Sequence, residues 1–139
     1  MKKIIIINGP NLNLLGKREP NIYGSKSFSS FFNELQEKFQ SQFELSFFQS
    51  NIEGEIIDKL QAVDDIVDAV ILNAGAYTHT SIAIRDTISA SKTKVIEVHI
   101  SNIFAREAFR KNTLLAEVCQ GSVSGFGLKS YELALYSFI

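Results

Sequence analysis

Four consecutive isoleucines, Ile4 to Ile7, constrain this chain more than any other feature. A strand with one wet face alternates apolar and polar residues. An unbroken β-branched run instead suits a strand buried on both faces, the kind found in parallel sheets with helices on each side. The run stops at Asn8, and Gly9-Pro10-Asn11 breaks the strand. Residues 12–24 then set Asn13, Lys17, Arg18, Glu19, Asn21 and Tyr23 among a few apolar side chains, with Gly16, Pro20 and Gly24 as punctuation. That is long for a strand-to-helix connection, and long loops in compact domains are usually functional or disordered. We expect a lid, about residues 12–26, over a site at the end of a central strand.

The remainder alternates. Residues 27–42 read as a helix, with Ser27 or Ser29 as cap and Phe28, Phe31, Phe32, Leu35 and Phe39 at three- and four-residue spacing. No basic patch accompanies these rings, so they read as core and not as a stacking platform. A strand is expected at 43–49, a turn at 51–54 and a helix at 55–63, with Ile56, Ile57 and Leu60 on one side. A third buried strand at 69–72 again ends in Asn73 and Gly75. Then come a helix at 81–91, a strand at 94–98, a short helix at 104–111, a fifth strand at 118–123 and a closing helix at 128–137. Strands alternating with helices imply right-handed crossovers and a parallel sheet. The expected class is α/β, a flavodoxin-like three-layer sandwich with a five-stranded sheet of order 2-1-3-4-5. The 139 residues make one domain, 1–139, with no linker or internal repeat. Ligands in such sheets sit beyond the strand C-termini where the order reverses, here beside strands one and three.

Bulk properties remove several function classes. A net charge of −1 offers no general field for nucleic acid or an anionic membrane. The run at residues 4–7 is too short for a signal peptide or a membrane span. One cysteine, Cys119, excludes an internal disulfide and suits a reduced, cytoplasmic setting. Two histidines without a cysteine or carboxylate cluster argue against a metal site.

Polar chemistry collects on one edge. His79 follows strand three and His99 follows strand four, on the same edge as the lid. A lone histidine is more often structural than functional, but both of the chain's histidines fall on the ligand-binding edge. Asn8, Asn11, Arg18, Tyr23, Asn73 and Ser101 share it. Arg106 and Arg110, four apart on the expected short helix, face the same way. They form either a solvated face or a fork for a carboxylate or phosphate. Asp86, beside Arg85, reads by itself as half of a surface ion pair. Gly125-Phe-Gly127-Leu-Lys-Ser130 approaches a dinucleotide fingerprint, but it follows the last strand and lacks the third glycine. A nucleotide- or flavin-binding module of the same architecture is the competing reading. Pro10 weakens it, because proline removes a backbone donor from any phosphate cradle after strand one.

Taken together, the motifs resemble those of the type II 3-dehydroquinate dehydratases. They are Asn8-Gly-Pro-Asn11, Gly16-Lys-Arg-Glu-Pro-Asn-Ile-Tyr-Gly24, Gln49-Ser-Asn51, Asn73-Ala-Gly-Ala-Tyr-Thr-His-Thr-Ser81, Glu97-Val-His-Ile-Ser-Asn102 and Ala105-Arg-Glu-Ala-Phe-Arg110. The resemblance covers nearly the whole chain. Phe104, Ala108 and Ser130 depart from the pattern at positions without a catalytic role. The resemblance implies a hydro-lyase that converts 3-dehydroquinate to 3-dehydroshikimate through an enolate, without metal or organic cofactor. It implies Tyr23 as general base, Arg18 as its activator, His99 as general acid, and Asn11 as the holder of a water that stabilises the enolate. It further implies that Glu97 orients His99. Asn73, His79, Arg110 and the backbone amides of Ile100 and Ser101 would bind substrate. Asp86 would reach a neighbouring subunit's site, within trimers that assemble into a dodecamer.

Physical chemistry suits these roles. Free tyrosine, with a pKa near ~10, is too weakly acidic to serve as a base at neutral pH. A guanidinium within ~4–6 Å favours the phenolate, and a closing lid strengthens that effect by expelling water. An imidazolium suits protonation of the departing hydroxyl.

Overall fold

The computed structural model describes residues 1–17 and 26–139. Arg18 and Tyr23 lie outside the described residues, as does most of the expected lid.

Five parallel strands form one sheet: β1 Lys2–Asn8, β2 Phe43–Gln49, β3 Ala69–Asn73, β4 Lys94–His99 and β5 Gly121–Ser124, in the order β2-β1-β3-β4-β5. Among the described residues four α-helices cover it: α1 Phe28–Lys38, α2 Glu53–Val63, α3 Ile82–Ala90 and α4 Lys129–Tyr136. The isoleucine run explains the layering. Successive strand residues point to opposite faces. Ile4 and Ile6 therefore pack with Phe28, Phe32 and Leu35 of α1 and Tyr131 and Leu135 of α4. Ile5 and Ile7 pack on the other face with Ile56 and Leu60 of α2 and Ile84 and Ile88 of α3. This is the three-layer sandwich expected from the alternation.

Local signals set several helix ends. Ser27 caps α1, its side chain accepting from the Ser30 amide. Ser81 caps α3 in the same way, accepting from Ile84. Helix α2 begins at Glu53, inside the stretch expected to be a turn. Ser50 draws the chain round there: its Oγ accepts from the Ile52 amide and donates to Glu55 at 2.5 Å.

Two expected elements differ. Residues 104–111 are not one helix but two 3-10 turns, Ile103–Ala105 and Ala108–Arg110, with Arg106 extended between them. Residues 104, 105, 107, 108 and 109 are all exposed, so no buried face repays helix nucleation. The fifth strand starts later than expected. Ala116–Val118 forms a 3-10 turn, and pairing with β4 begins at Gly121 opposite Ile96.

The C-terminal ends of β1 and β3 are locked together. Asn8 stands opposite Asn73, and the Gly9 amide donates to the Asn73 carbonyl at 2.7 Å. A Cβ on Gly9 would lie 2.4 Å from the Ala74 carbonyl oxygen, so glycine is required for this approach. Gly75 turns the chain after β3 with φ +60°, the left-handed region that glycine enters readily.

Candidate active site

A cavity of about 110 Å³ opens where the sheet order reverses. Three connections wall it. The segment after β1 supplies Pro10, Asn11, Leu12, Leu14 and Leu15; the turn after β3 supplies Asn73, Gly75, Ala76 and His79; the segment after β4 supplies His99, Ile100, Ser101, Ile103, Arg106 and Arg110. One wall is aliphatic, and the other carries imidazole, hydroxyl and guanidinium groups.

His99 ends β4 and is buried. Glu97, two residues earlier, projects from the same face. It is fully buried, with Oε2 3.2 Å from Nε2 of His99. That nitrogen is itself buried, and the Glu97 carboxylate is the polar group it meets among the described residues. The carboxylate takes two hydroxyl donors: Ser122 to Oε1 at 2.8 Å, and Thr113 to Oε2. Burial pushes the Glu97 carboxyl upward, but His99, Thr113 and Ser122 together outweigh it and hold the group below the usual range.

His79 sits at the end of the 3-10 turn Gly75–His79, half-buried. Its Nδ1 lies 2.7 Å from the Asn112 carbonyl oxygen. A carbonyl only accepts, so Nδ1 carries the proton, and in the neutral ring Nε2 is left as an acceptor. The two imidazoles stack loosely, with centroids 6.4 Å apart and planes 21° from parallel.

Asn73 ends β3 and is buried. Its Oδ1 accepts from the Gly75 amide at 3.2 Å, and its Nδ2 donates to the Tyr131 hydroxyl at 2.9 Å. Asn11 is exposed at the pocket rim with φ +69°, a conformation that asparagine tolerates better than most side chains. Its amide donates to Asn51 Oδ1 at 3.0 Å.

Arg106 and Arg110 both reach the cavity, though not from the shared helix expected. Glu107 gathers them: its Oε1 is 3.0 Å from Arg110 Nε and 3.8 Å from Arg106 Nε. Arg106 also donates to Ser101 Oγ at 3.4 Å. The pair leaves cationic surface on the pocket wall, suited to an anionic group.

The structure thus brings Asn11, Asn73, His79, His99, Ile100, Ser101 and Arg110 to one cavity, with Glu97 directly behind. Asp86 is not among them: it is exposed on α3. Nor does it pair with Arg85, which instead donates to Glu117 at 2.9 Å and to the Leu114 carbonyl at 2.6 Å. Sequence reasoning passed over Thr113, Ser122 and Tyr131. The one available signal was Tyr131 among the apolar residues of the C-terminal helix, since a buried tyrosine usually needs a partner for its hydroxyl. Among the described residues, no group of three or more His, Cys, Asp or Glu is placed to hold a metal ion, and no helix is long and apolar enough to cross a membrane.

Comparison with known proteins agrees with this geometry. The family described as Dehydroquinase class II matches residues 2–139. The 3-dehydroquinate dehydratase of Caldicellulosiruptor bescii is 58% identical over 139 residues, covering 99% of this chain and 96% of its own. That of an Exiguobacterium is 56% identical over 137 residues, covering 99% and 94%. The crystal structure of type II dehydroquinase from Butyrivibrio crossotus superposes with a TM-score of 0.94 at 46% identity, covering 98% of this chain and 96% of that one.

Proposed function

The chain belongs to the family of class II dehydroquinases, and from that premise we propose how its own residues carry out the reaction. The protein is a hydro-lyase that dehydrates 3-dehydroquinate to 3-dehydroshikimate in the shikimate pathway. The observation that carries the assignment of roles is the placement of His99. It stands between a buried carboxylate and a cavity shared with His79, Asn73 and Arg110.

The proton lost from substrate lies alpha to a ketone, so its removal gives an enolate. Tyr23 takes that proton as phenolate, made acidic by Arg18 when the lid, about residues 12–26, closes. A water held by Asn11 donates to the enolate oxygen. The carbon–oxygen bond of the departing hydroxyl then breaks, and His99 delivers its proton so that water leaves. Glu97, anchored from behind, orients the ring and balances its charge.

Binding follows from the walls. Arg110, with the amides of Ile100 and Ser101, holds the substrate carboxylate. The Nε2 lone pair of His79 accepts from a substrate hydroxyl, and Asn73 adds a further polar contact. An aliphatic side of Leu12, Leu14 and Leu15 faces the ring.

The same reading extends to assembly and setting. Residues 1–139 act as one catalytic domain. The protein is a cytoplasmic homo-oligomer of trimers assembling to a dodecamer. The exposure of Asp86, away from its own pocket, supports a role at a neighbouring subunit's site.

The test is ultraviolet absorbance of the conjugated enone, with wild type and Tyr23→Phe run side by side on dehydroquinate. Wild type should develop the enone. Tyr23→Phe should lose turnover yet keep substrate binding. No enone with wild type refutes the activity, and near-normal turnover in Tyr23→Phe removes Tyr23 as base.

A further inference from the structure

The hydrogen bonds around Thr113 have only one consistent arrangement. Its Oγ1 accepts from the amides of Leu115 at 3.1 Å and Ala116 at 3.2 Å. A hydroxyl has two acceptor positions and one proton, so these amides leave it nothing but the role of donor. The atom it faces on the other side is Oε2 of Glu97, the same oxygen that lies 3.2 Å from His99 Nε2. A protonated Oε2 would set one O–H against another. Thr113 therefore disfavours a proton on Oε2, the oxygen that faces the His99 ring.

Glu97 and His99 are close enough that one proton belongs to the pair and not to either residue. It rests on the carboxyl, leaving a neutral ring, or on the imidazole, leaving a carboxylate. We propose that Thr113 is a positioning residue that keeps this proton on the His99 ring, where the dehydration needs it. The proposal rests on the reading of His99 as general acid. Ser122 donates to the other carboxylate oxygen at 2.8 Å, but from an exposed position on edge strand β5, where water can replace it. Thr113 is half-buried, and its acceptor positions are filled by the chain itself.

Other groups facing the pair do not do this work. Cys119 lies close enough for Glu97 to act on it. Burial, with the Glu97 charge, pushes its thiol up to about 12, so it stays neutral. The His79 ring stands 6.4 Å from that of His99 and is fixed by Asn112. Arg106 and Arg110, on the pocket side, oppose a positive ring rather than favour it.

The experiment uses the full chain labelled with ¹⁵N-histidine. Two histidines give two sets of ring signals, and His79→Asn identifies which set belongs to His99. In wild type, acidification through the pair's midpoint should turn the His99 ring to imidazolium. In Thr113→Val, the neutral-ring share on the acid side should rise by about tenfold, the scale of one hydrogen bond to a charged group. Turnover should fall about tenfold with KM changed less than about twofold, and Thr113→Ser should restore both. Ser122→Ala should change either by less than about threefold. If the valine variant does not fold, Thr113→Cys, which replaces the hydroxyl by a weaker donor, carries the same comparison against Thr113→Ser. A His99 ring that titrates as in wild type in a folded variant overturns the proposal. His99→Gln at a near-normal rate would overturn the acid assignment instead, since the ring titration does not depend on turnover.

Discussion

Replacing Tyr131 with phenylalanine isolates one oxygen atom that ties the active-site wall to the core. The Tyr131 ring is fully buried and packs edge-on against Phe28, with centroids 5.2 Å apart. Phenylalanine preserves that packing. What disappears is a hydroxyl that donates to Asn8 Oδ1 at 2.8 Å and accepts from Asn73 Nδ2 at 2.9 Å. Burial pushes this phenol well above the usual tyrosine range, so it stays protonated and both bonds persist at any ordinary pH. Both asparagine side chains are buried, and Asn8 Nδ2 has no partner among the described residues. Each newly unsatisfied group costs roughly 1–3 kcal/mol, so the variant, with two such groups, should lose about 2–6 kcal/mol of stability. For 139 residues that lowers Tm by about 7–21 °C, at ~2.1 cal/mol/K of unfolding entropy per residue. Asn73 keeps the Gly75 amide but loses the bond that aims its Nδ2. KM should therefore rise several-fold, with kcat less affected. The assays are denaturant unfolding at matched protein concentration and steady-state kinetics. A loss below about 0.5 kcal/mol, with unchanged denaturant slope and unchanged KM, would refute the coupling of core to site.

Arg110→Ala should weaken substrate and product binding by about 30-fold or more, the scale of a truncated charged pair; unchanged Kd and KM would place the carboxylate anchor elsewhere. Stability should also fall in acid. The Ser91 hydroxyl and the amides of Thr93 and Lys92 hold Asp64 at about 2, against an ordinary 3.8, and Glu97 is likewise held below its ordinary 4.5. Both folded-state values are depressed, so their stabilisation is present above the unfolded values and is lost as pH falls toward about 2. Unfolding midpoints measured from pH 5 downward should drop through that window, and Asp64→Asn should flatten the lower part; a flat wild-type profile would contradict the assignment.

Much of the fold could be read from pattern alone. The isoleucine run fixes a strand buried on both faces, and Asn8 and Asn73 mark strand ends that prove to stand side by side. Both histidines fall on the binding edge because each follows a strand closely. What sequence periodicity misread was the segment after β4. Arg106 and Arg110 stand four apart, a helical spacing, yet Phe104 and Phe109 around them are each 61% exposed and supply no packing to hold a helix. The arginines still converge, because Glu107 bridges them. Thr113 was illegible for a different reason. Its role depends on meeting Glu97, 16 positions away, across a turn that its own hydroxyl organises. Asp86 marks the limit of a single chain: it is exposed on α3 and outside the cavity, and the role proposed for it lies at a neighbouring subunit's site.

The most direct measurement is the turnover of His99→Gln on dehydroquinate, followed by enone absorbance, with product affinity measured alongside by calorimetry. Expected is a fall in kcat of about 10²-fold or more, with affinity changed less than about threefold. Turnover within a few-fold of wild type would contradict the assignment of His99, backed by Glu97, as the group that hands the departing hydroxyl its proton.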